Sequence, residues 1–254
     1  DGLARERVMG EMEKALTGSR RPSRCFEALR EMGQLEPWLK EVAALIGVKQ
    51  RADCHPEGDA WTHTMLVVDE AAKLRDEAKN PTGLMLAALL HDVGKAVAMQ
   101  EKDGVIHAYG HETAGVPLAE EFLRRLTGEK ALCRYVLNMV ELHMKPNLYA
   151  AQNSGQKAWN RLFDRSACPE DLLLLAKADH RGRINAAPYA ETERTIRARL
   201  SAYEEMMARP HITGADLLAR GIQPGEEMGR LLEEAHRLRL AGVKKEDALR
   251  QMRL

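Results

Sequence analysis

Apolar positions recur three and four residues apart along most of this chain, the spacing that lines one face of a helix. That spacing predicts helices over residues 5–16 and 23–32 and a third, short one over 37–46, joined by TGSRRPS and GQLEP. The turn-rich stretch RADCHPEGDA then precedes a long helix over 61–79, which NPTG breaks. Next comes LMLAALLHDVGKAVAM, residues 84–99, whose apolar run stops abruptly at His91-Asp92 and Gly94-Lys95. EKDGVIHAYG reads as a small hairpin or loop, and helices follow over 111–126, 130–144, 156–163 and 169–180. A long polar helix over 191–208 leads through RPHITG to a tail, GADLLARGIQPGEEMGRLLEEAHRLRLAG, that is again helical. The pattern predicts an all-α fold without a repeat of solenoid length.

Composition narrows this picture only a little. At 254 residues and 44% hydrophobic, the chain can build one large domain or two smaller ones around a real core, and an aromatic share of 4% suits helices. Lysine plus arginine equals aspartate plus glutamate at 38 each, so no global field recruits nucleic acid or membrane, and a histone-like role is excluded. Cys25, Cys54, Cys133 and Cys168 form no Cys-x-x-Cys pair, which fits reduced thiols in a cytoplasmic protein better than a disulfide framework or a zinc knot. No apolar run approaches the roughly 20 residues of a membrane span, and no leader opens the chain, so a soluble protein with no membrane partner is expected. The first residue is Asp1 rather than Met, which fits an upstream segment removed or never included.

The chemistry gathers at helix ends. His63 lies in the first turn of one predicted helix, His91 and Asp92 end the next, and Asp179 closes LLLLAKAD in another. Burying imidazoles and carboxylates at the ends of apolar runs is costly unless they are paired or coordinated, so three such ends point to one shared divalent cation. Mixed imidazole and carboxylate ligation suits nickel, manganese, magnesium, iron or zinc. Gly94 would let the backbone turn sharply after Asp92, and Lys95 would present an ammonium to a phosphate oxygen. His111, at a helix start, and His143, at the end of YVLNMVELH, could complete a second metal site bridged by Asp92. His55, His107, His180, His211 and His236 fall in loops or on polar helices and read as ordinary residues, with His107 close to His111 in sequence.

The series His63, His91-Asp92, Asp179 resembles the HD phosphohydrolase superfamily, whose helical domains hold a metal on such a set. HPEGDAWTHTMLVVD, LAALLHDVGK, YGHETAG and KADHRGR resemble, in order, the HD domain attached to bacterial tRNA nucleotidyltransferases, the CCA-adding enzymes. RERVMGEMEKAL and CFEALREMGQLEPWLKEVAAL look like their helical neck, and ITGADLLARGIQPGEEMGRLLEEA like their tail. The resemblance implies a neck-like segment over 1–50, an HD domain over 51–208 and a helical tail over 209–254. It also marks a departure: Gly18-Ser19 is followed by RRPSR, and no Asp-x-Asp occurs in the chain. The chain by itself therefore lacks the nucleotidyltransferase head, and is either a piece of such an enzyme or a stand-alone descendant.

What the resemblance implies is a metal-dependent phosphohydrolase acting on phosphoesters such as 2′,3′-cyclic phosphates or 2′-nucleotides, linked to tRNA 3′-end processing. His63, His91, Asp92 and Asp179 would be the metal ligands, with His111 and His143 serving a second ion. Asp92 would also orient the attacking water, and Lys95 would bind phosphate. Arg181 and Arg183 place guanidinium groups just after Asp179, suited to bidentate pairing with phosphate. Two alternatives stand beside this reading: a non-catalytic tRNA-binding body, and a phosphohydrolase of free nucleotides. Residues 230–254 carry seven basic against four acidic side chains, a mild bias that phosphate contacts could use.

Overall fold

The structure, a computed structural model, describes residues 4–51, 53, 55–102 and 105–254, so Asp1, Cys54 and the Asp103-Gly104 pair in the expected hairpin lie outside the described residues. The chain opens with α1 (Arg5–Gly18), α2 (Ser23–Glu31) and the short α3 (Lys40–Ala43). α4 (Ala60–Leu74) runs into a 3₁₀ turn at Arg75–Glu77, and α5 (Pro81–Leu90) and α6 (Lys95–Ala98) follow. A two-stranded antiparallel ribbon, β1 (Gln100–Lys102) and β2 (Val105–His107), pairs Gln100 with His107 and Glu101 with Ile106. Then come α7 (His111–Leu126), α8 (Lys130–Leu142), α9 (Met144–Ala151), α10 (Gln156–Arg165) and α11 (Pro169–Arg181). α12 (Ala190–Ala208), α13 (Gly214–Leu218), α14 (Glu226–Leu240) and α15 (Lys245–Gln251) complete the chain. The fold is all-α, as the spacing predicts; no described helix is long and apolar enough to cross a membrane, and Cys25, Cys133 and Cys168 are free thiols.

Two differences from the expected helices have physical causes. The helix expected over 61–79 ends at Leu74, where the chain tightens into the 3₁₀ turn. The helix expected over 130–144 breaks at His143 and restarts at Met144, so that histidine sits between two helices rather than at a frayed end.

The chain divides into two compact units: residues 1–148 with 166–193, and residues 149–165 with 194–254. In the first, α5 is buried on every side among α1, α4, α8 and α11, with Leu84 through Leu90 all fully inaccessible. Each of its large apolar side chains contributes about 1.5–3 kcal/mol by leaving water. Its start is fixed from both ends of the sequence logic. Asn80 accepts from the Gly83 amide with Pro81 in the first turn, and buried Asp171 accepts from the Lys79 and Asn80 amides and the Tyr135 hydroxyl. In the second unit, Ile212, Leu217, Ala235 and Ala248 form a core ringed by Ile222, Met228, Leu231 and Leu232.

Candidate metal centre

Five helix ends of the first unit deliver the polar side chains. Asp59 caps α4, accepting from the Thr62 amide (2.9 Å) and hydroxyl (2.6 Å) and from the Gly47 amide (2.7 Å), which fixes His63 in the first turn. α5 gives out at Leu90, so His91 and Asp92 fall in the turn to α6. His111 opens α7, His143 fills the break between α8 and α9, and Asp179 lies in the last turn of α11. His63, His91, Asp92, His111, His143 and Asp179 are all buried.

The rings are oriented by the same local device three times over. Nδ1 of His91, His111 and His143 donates to the carbonyl three residues earlier: Ala88 (2.8 Å), Ala108 (2.8 Å) and Val140 (2.7 Å). A carbonyl oxygen has two lone pairs, and in these turns the imidazole takes one of them; the Ala108 carbonyl also accepts from the His111 amide at 3.2 Å. With Nδ1 carrying the proton, the lone pair falls on Nε2, the atom turned to the site. His63 Nδ1 instead meets the buried carboxylate of Glu57 at 2.8 Å.

The Nε2 atoms converge on Asp92, and they divide between its two oxygens. His91 and His63 lie 3.3 and 3.7 Å from Oδ2, whereas His111 and His143 lie 3.1 and 3.8 Å from Oδ1. Asp179 Oδ1 is 3.1 Å from His63 Nε2. Even so, Nε2 of His91 and His143 and Oδ2 of Asp179 have no hydrogen-bond partner. A buried polar atom left unmade costs about 1–3 kcal/mol. Several of them facing one another, nitrogen lone pairs beside carboxylate oxygens, fit a divalent cation, and the donors fall into groups around His63, His91 and Asp92 and around Asp92, His111 and His143.

Charge in the metal-free protein follows from this crowding. Burial pulls His63 down, but its bonds to Asp179 and Glu57 outweigh that and its pKa is raised. Burial likewise opposes the charge on His111, and the adjacent Asp92 carboxylate raises it overall. Burial takes His143 down to about 3, so that ring is neutral. Asp92 and Asp179 are buried, which alone would raise them, yet His91 and Lys95 hold the first, and His63 and Arg183 the second, well below the usual carboxylate range.

Around this cluster lies a cavity of about 230 Å³ lined by Asp92, Lys95, His111, Asp179 and Arg183, with Gln50, His55, His107 and Tyr109 on its walls. Lys95 is buried, its Nζ 2.6 Å from both Asp92 Oδ2 and Gln50 Oε1. Arg183 reaches Asp179 Oδ2 at 3.5 Å, whereas Arg181 is exposed and does not line the cavity. Gly94 needs a different explanation from the expected sharp turn. Its φ of −66° and ψ of −18° are helical, and what requires glycine is close backbone approach: a Cβ there would sit 2.0 Å from the His111 carbonyl oxygen and 2.5 Å from the Gly115 nitrogen.

Sequence reasoning missed three residues. Glu57 Oε1 holds both His63 and His55 at 2.8 Å, and Gln50 holds Lys95. His55, read as an ordinary loop histidine, packs edge-on against His63 with ring centroids 4.7 Å apart. The available signal was only proximity, since His55 and Glu57 precede His63 by eight and six residues in a stretch without periodicity.

An all-helical bundle closing over a histidine–aspartate cluster defines a class of metal-binding helical domains. Within that class, the HD domain family's profile matches residues 60–200, and the chain belongs to that family. Over 251 residues it is 38% identical to the Multifunctional CCA protein of Burkholderia cenocepacia (strain HI2424), covering 96% of this chain and 56% of that relative. The protein of the same name from Burkholderia vietnamiensis (strain G4 / LMG 22486) is 38% identical over 252 residues, with the same two coverages. That from Actinobacillus pleuropneumoniae serotype 5b (strain L20) is 33% identical over 95% of this chain and 57% of its own. The chain thus spans little more than half the length of the curated relatives it matches, in keeping with the expected HD region of a CCA-adding enzyme.

Proposed function

We propose that the chain is a metal-dependent phosphohydrolase of phosphoesters such as 2′,3′-cyclic phosphates or 2′-nucleotides. The observation that carries this reading is the convergence of four histidine Nε2 atoms on the two oxygens of one buried carboxylate, Asp92. His63, His91, Asp92 and Asp179 would hold one divalent ion, and His111 and His143, on the Oδ1 side of Asp92, a second. Nickel, manganese, magnesium, iron and zinc are all compatible with the donor set. When bound, such ions neutralise phosphoryl charge and acidify water, so no protein nucleophile is required.

The chain's own residues do the rest. Asp92, kept ionised, accepts a hydrogen bond from the attacking water and orients it. Lys95, anchored by Gln50, and Arg183, on the cavity wall, bind phosphate oxygens and hold the ester against the cluster. Arg181, exposed beyond the wall, is left to longer substrates. In this division of labour, residues 51–208, helped by Gln50, carry the chemistry, and the rest of 1–50 and residues 209–254 the RNA. Hydrolysis of 2′,3′-cyclic AMP should vanish on chelation and return on adding back manganese or nickel. Undiminished turnover after exhaustive chelation would overturn the metal mechanism.

The relatives' name, Multifunctional CCA protein, supports tRNA as the physiological partner. Seven basic side chains in 230–254 favour weak binding of tRNA whose affinity falls steeply with salt as counterions are released. Filter binding at low and high salt tests this. An absence of binding at low salt would leave a small-molecule phosphohydrolase.

A further inference from the structure

One feature of the cavity wall is not explained by metal or phosphate. Tyr109 is 83% exposed, a large aromatic ring left in water at the rim of a cavity whose floor is the Asp92 cluster. It is not loose. His107, at the end of β2, stacks against it with ring centroids 4.8 Å apart and planes within 15°. Both residues line the cavity together with apolar Met99, Ile106 and Met144. Val97 (64% exposed) and Val105 (40% exposed) lie close by in the chain, adding uncovered apolar surface among the described residues near Tyr109.

The chain geometry ties this platform to the reaction site. Only Gly110, at φ +73°, separates exposed Tyr109 from buried His111, whose Nε2 is 3.1 Å from Asp92. Two residues span at most about 7 Å, so the Tyr109 backbone is within that distance of the His111 backbone. Gly110 takes the left-handed conformation that lets one neighbour face the cluster while the other stands at the rim. A nucleoside phosphate has matching anatomy: an anion to be held at the cluster and a flat π-face a sugar's length away.

We propose that Tyr109, backed by His107, is the base-stacking platform of the site, so that its substrates are nucleotides read through the face of the base rather than phosphoesters in general. Stacking against an aromatic ring is sequence-tolerant because every base has a π-face, and the interaction draws on the ring rather than the hydroxyl. This rests on the phosphoester reading for the position of the phosphate, but it can be tested apart from turnover.

The test is a comparison of two ligands that differ by the base. Calorimetric dissociation constants for adenosine 2′-monophosphate and ribose 2-phosphate are measured with wild type, Tyr109→Ala and Tyr109→Phe, and KM values for both are measured alongside. Tyr109→Ala should weaken the nucleotide by about 5- to 150-fold, the range expected from removing one stacking ring, and leave ribose 2-phosphate unchanged. Tyr109→Phe should bind like wild type, because the ring is retained. Equal weakening of both ligands, no weakening of either, or a wild type that binds the two alike would overturn the platform. A wild type that hydrolyses neither compound yet shows the binding contrast would remove the hydrolytic reading and leave the platform standing.

Discussion

Replacing Gly94 by alanine isolates the close approach that brings the α6 turn against α7. The added methyl would lie 2.0 Å from the His111 carbonyl oxygen, about 1.4 Å short of the 3.4 Å at which ordinary contact begins. It would also meet Gly115 nitrogen at 2.5 Å and Gly115 Cα at 2.9 Å. All three neighbours are backbone, so no side-chain rotation relieves the clash and the start of α7 must move. Overpacking of this kind costs about 1–3 kcal/mol, and rigid neighbours put the expected cost at the upper end. At about 2–4 °C per kcal/mol for chains of this size, the melting temperature should fall by about 5–12 °C. His111 moves with its own carbonyl, and a displacement near 1 Å can cost about 100-fold in rate. The assay is thermal unfolding with and without added manganese, with turnover measured in parallel. Gly10→Ala is the control: it lies within α1 with nothing within 4 Å of the new Cβ, and should gain about 0.5–1 kcal/mol. A Gly94→Ala protein that melts with the wild type and keeps its manganese stabilisation would refute the reasoning.

Four further outcomes are expected. Glu57→Gln should weaken metal binding about 10- to 100-fold by loosening the hold on His63 Nδ1, as read from metal titration followed by melting temperature. Burial raises Glu57, but bonds from His63 and His55 bring it down to about 2; its contribution is therefore present above its usual 4.5 and lost as pH falls towards 2. The stability gap between wild type and Glu57→Gln should accordingly be full at neutral pH and close in acid, and a gap that widens there would contradict the assignment. Because His63 and His111 are raised in the metal-free protein, metal binding should release protons and tighten as pH rises through neutrality. Calorimetry giving the same apparent enthalpy in buffers of different ionisation enthalpy would argue against it. Replacing His111 and His143 together by Gln should reduce the bound metal from two equivalents to one, and a single equivalent in both proteins would remove the second ion.

The parts of the site that were legible in the sequence are those where pattern and chemistry collide. An apolar run that stops at His91-Asp92 signals a buried polar end whether or not its partners are known, and the same holds for Asp179 after LLLLAKA. His111 and His143 were visible as further transitions, although the helix break that frees the Val140 carbonyl for His143 was not. Glu57, His55 and Gln50 were invisible because they sit in an irregular stretch, where nothing periodic says which side chains turn inward. At Gly94 a sequence shows that a side chain is absent, not which backbone needs the room. Tyr109 shows the opposite limit, since its exposure and its stacking on His107 depend on a ribbon and a turn that composition does not specify.

On the reading proposed above, the histidine Nε2 atoms around Asp92, with Asp179, form the metal centre. Anomalous scattering from a crystal loaded with manganese or nickel tests it most directly. The expected result is strong peaks enclosed by Nε2 of His63 and His91 with Asp92 and Asp179, and by Nε2 of His111 and His143 with Asp92. Peaks confined to other places, such as the His236–Asp164 pair of the second unit, would contradict it, as would no ordered metal at all.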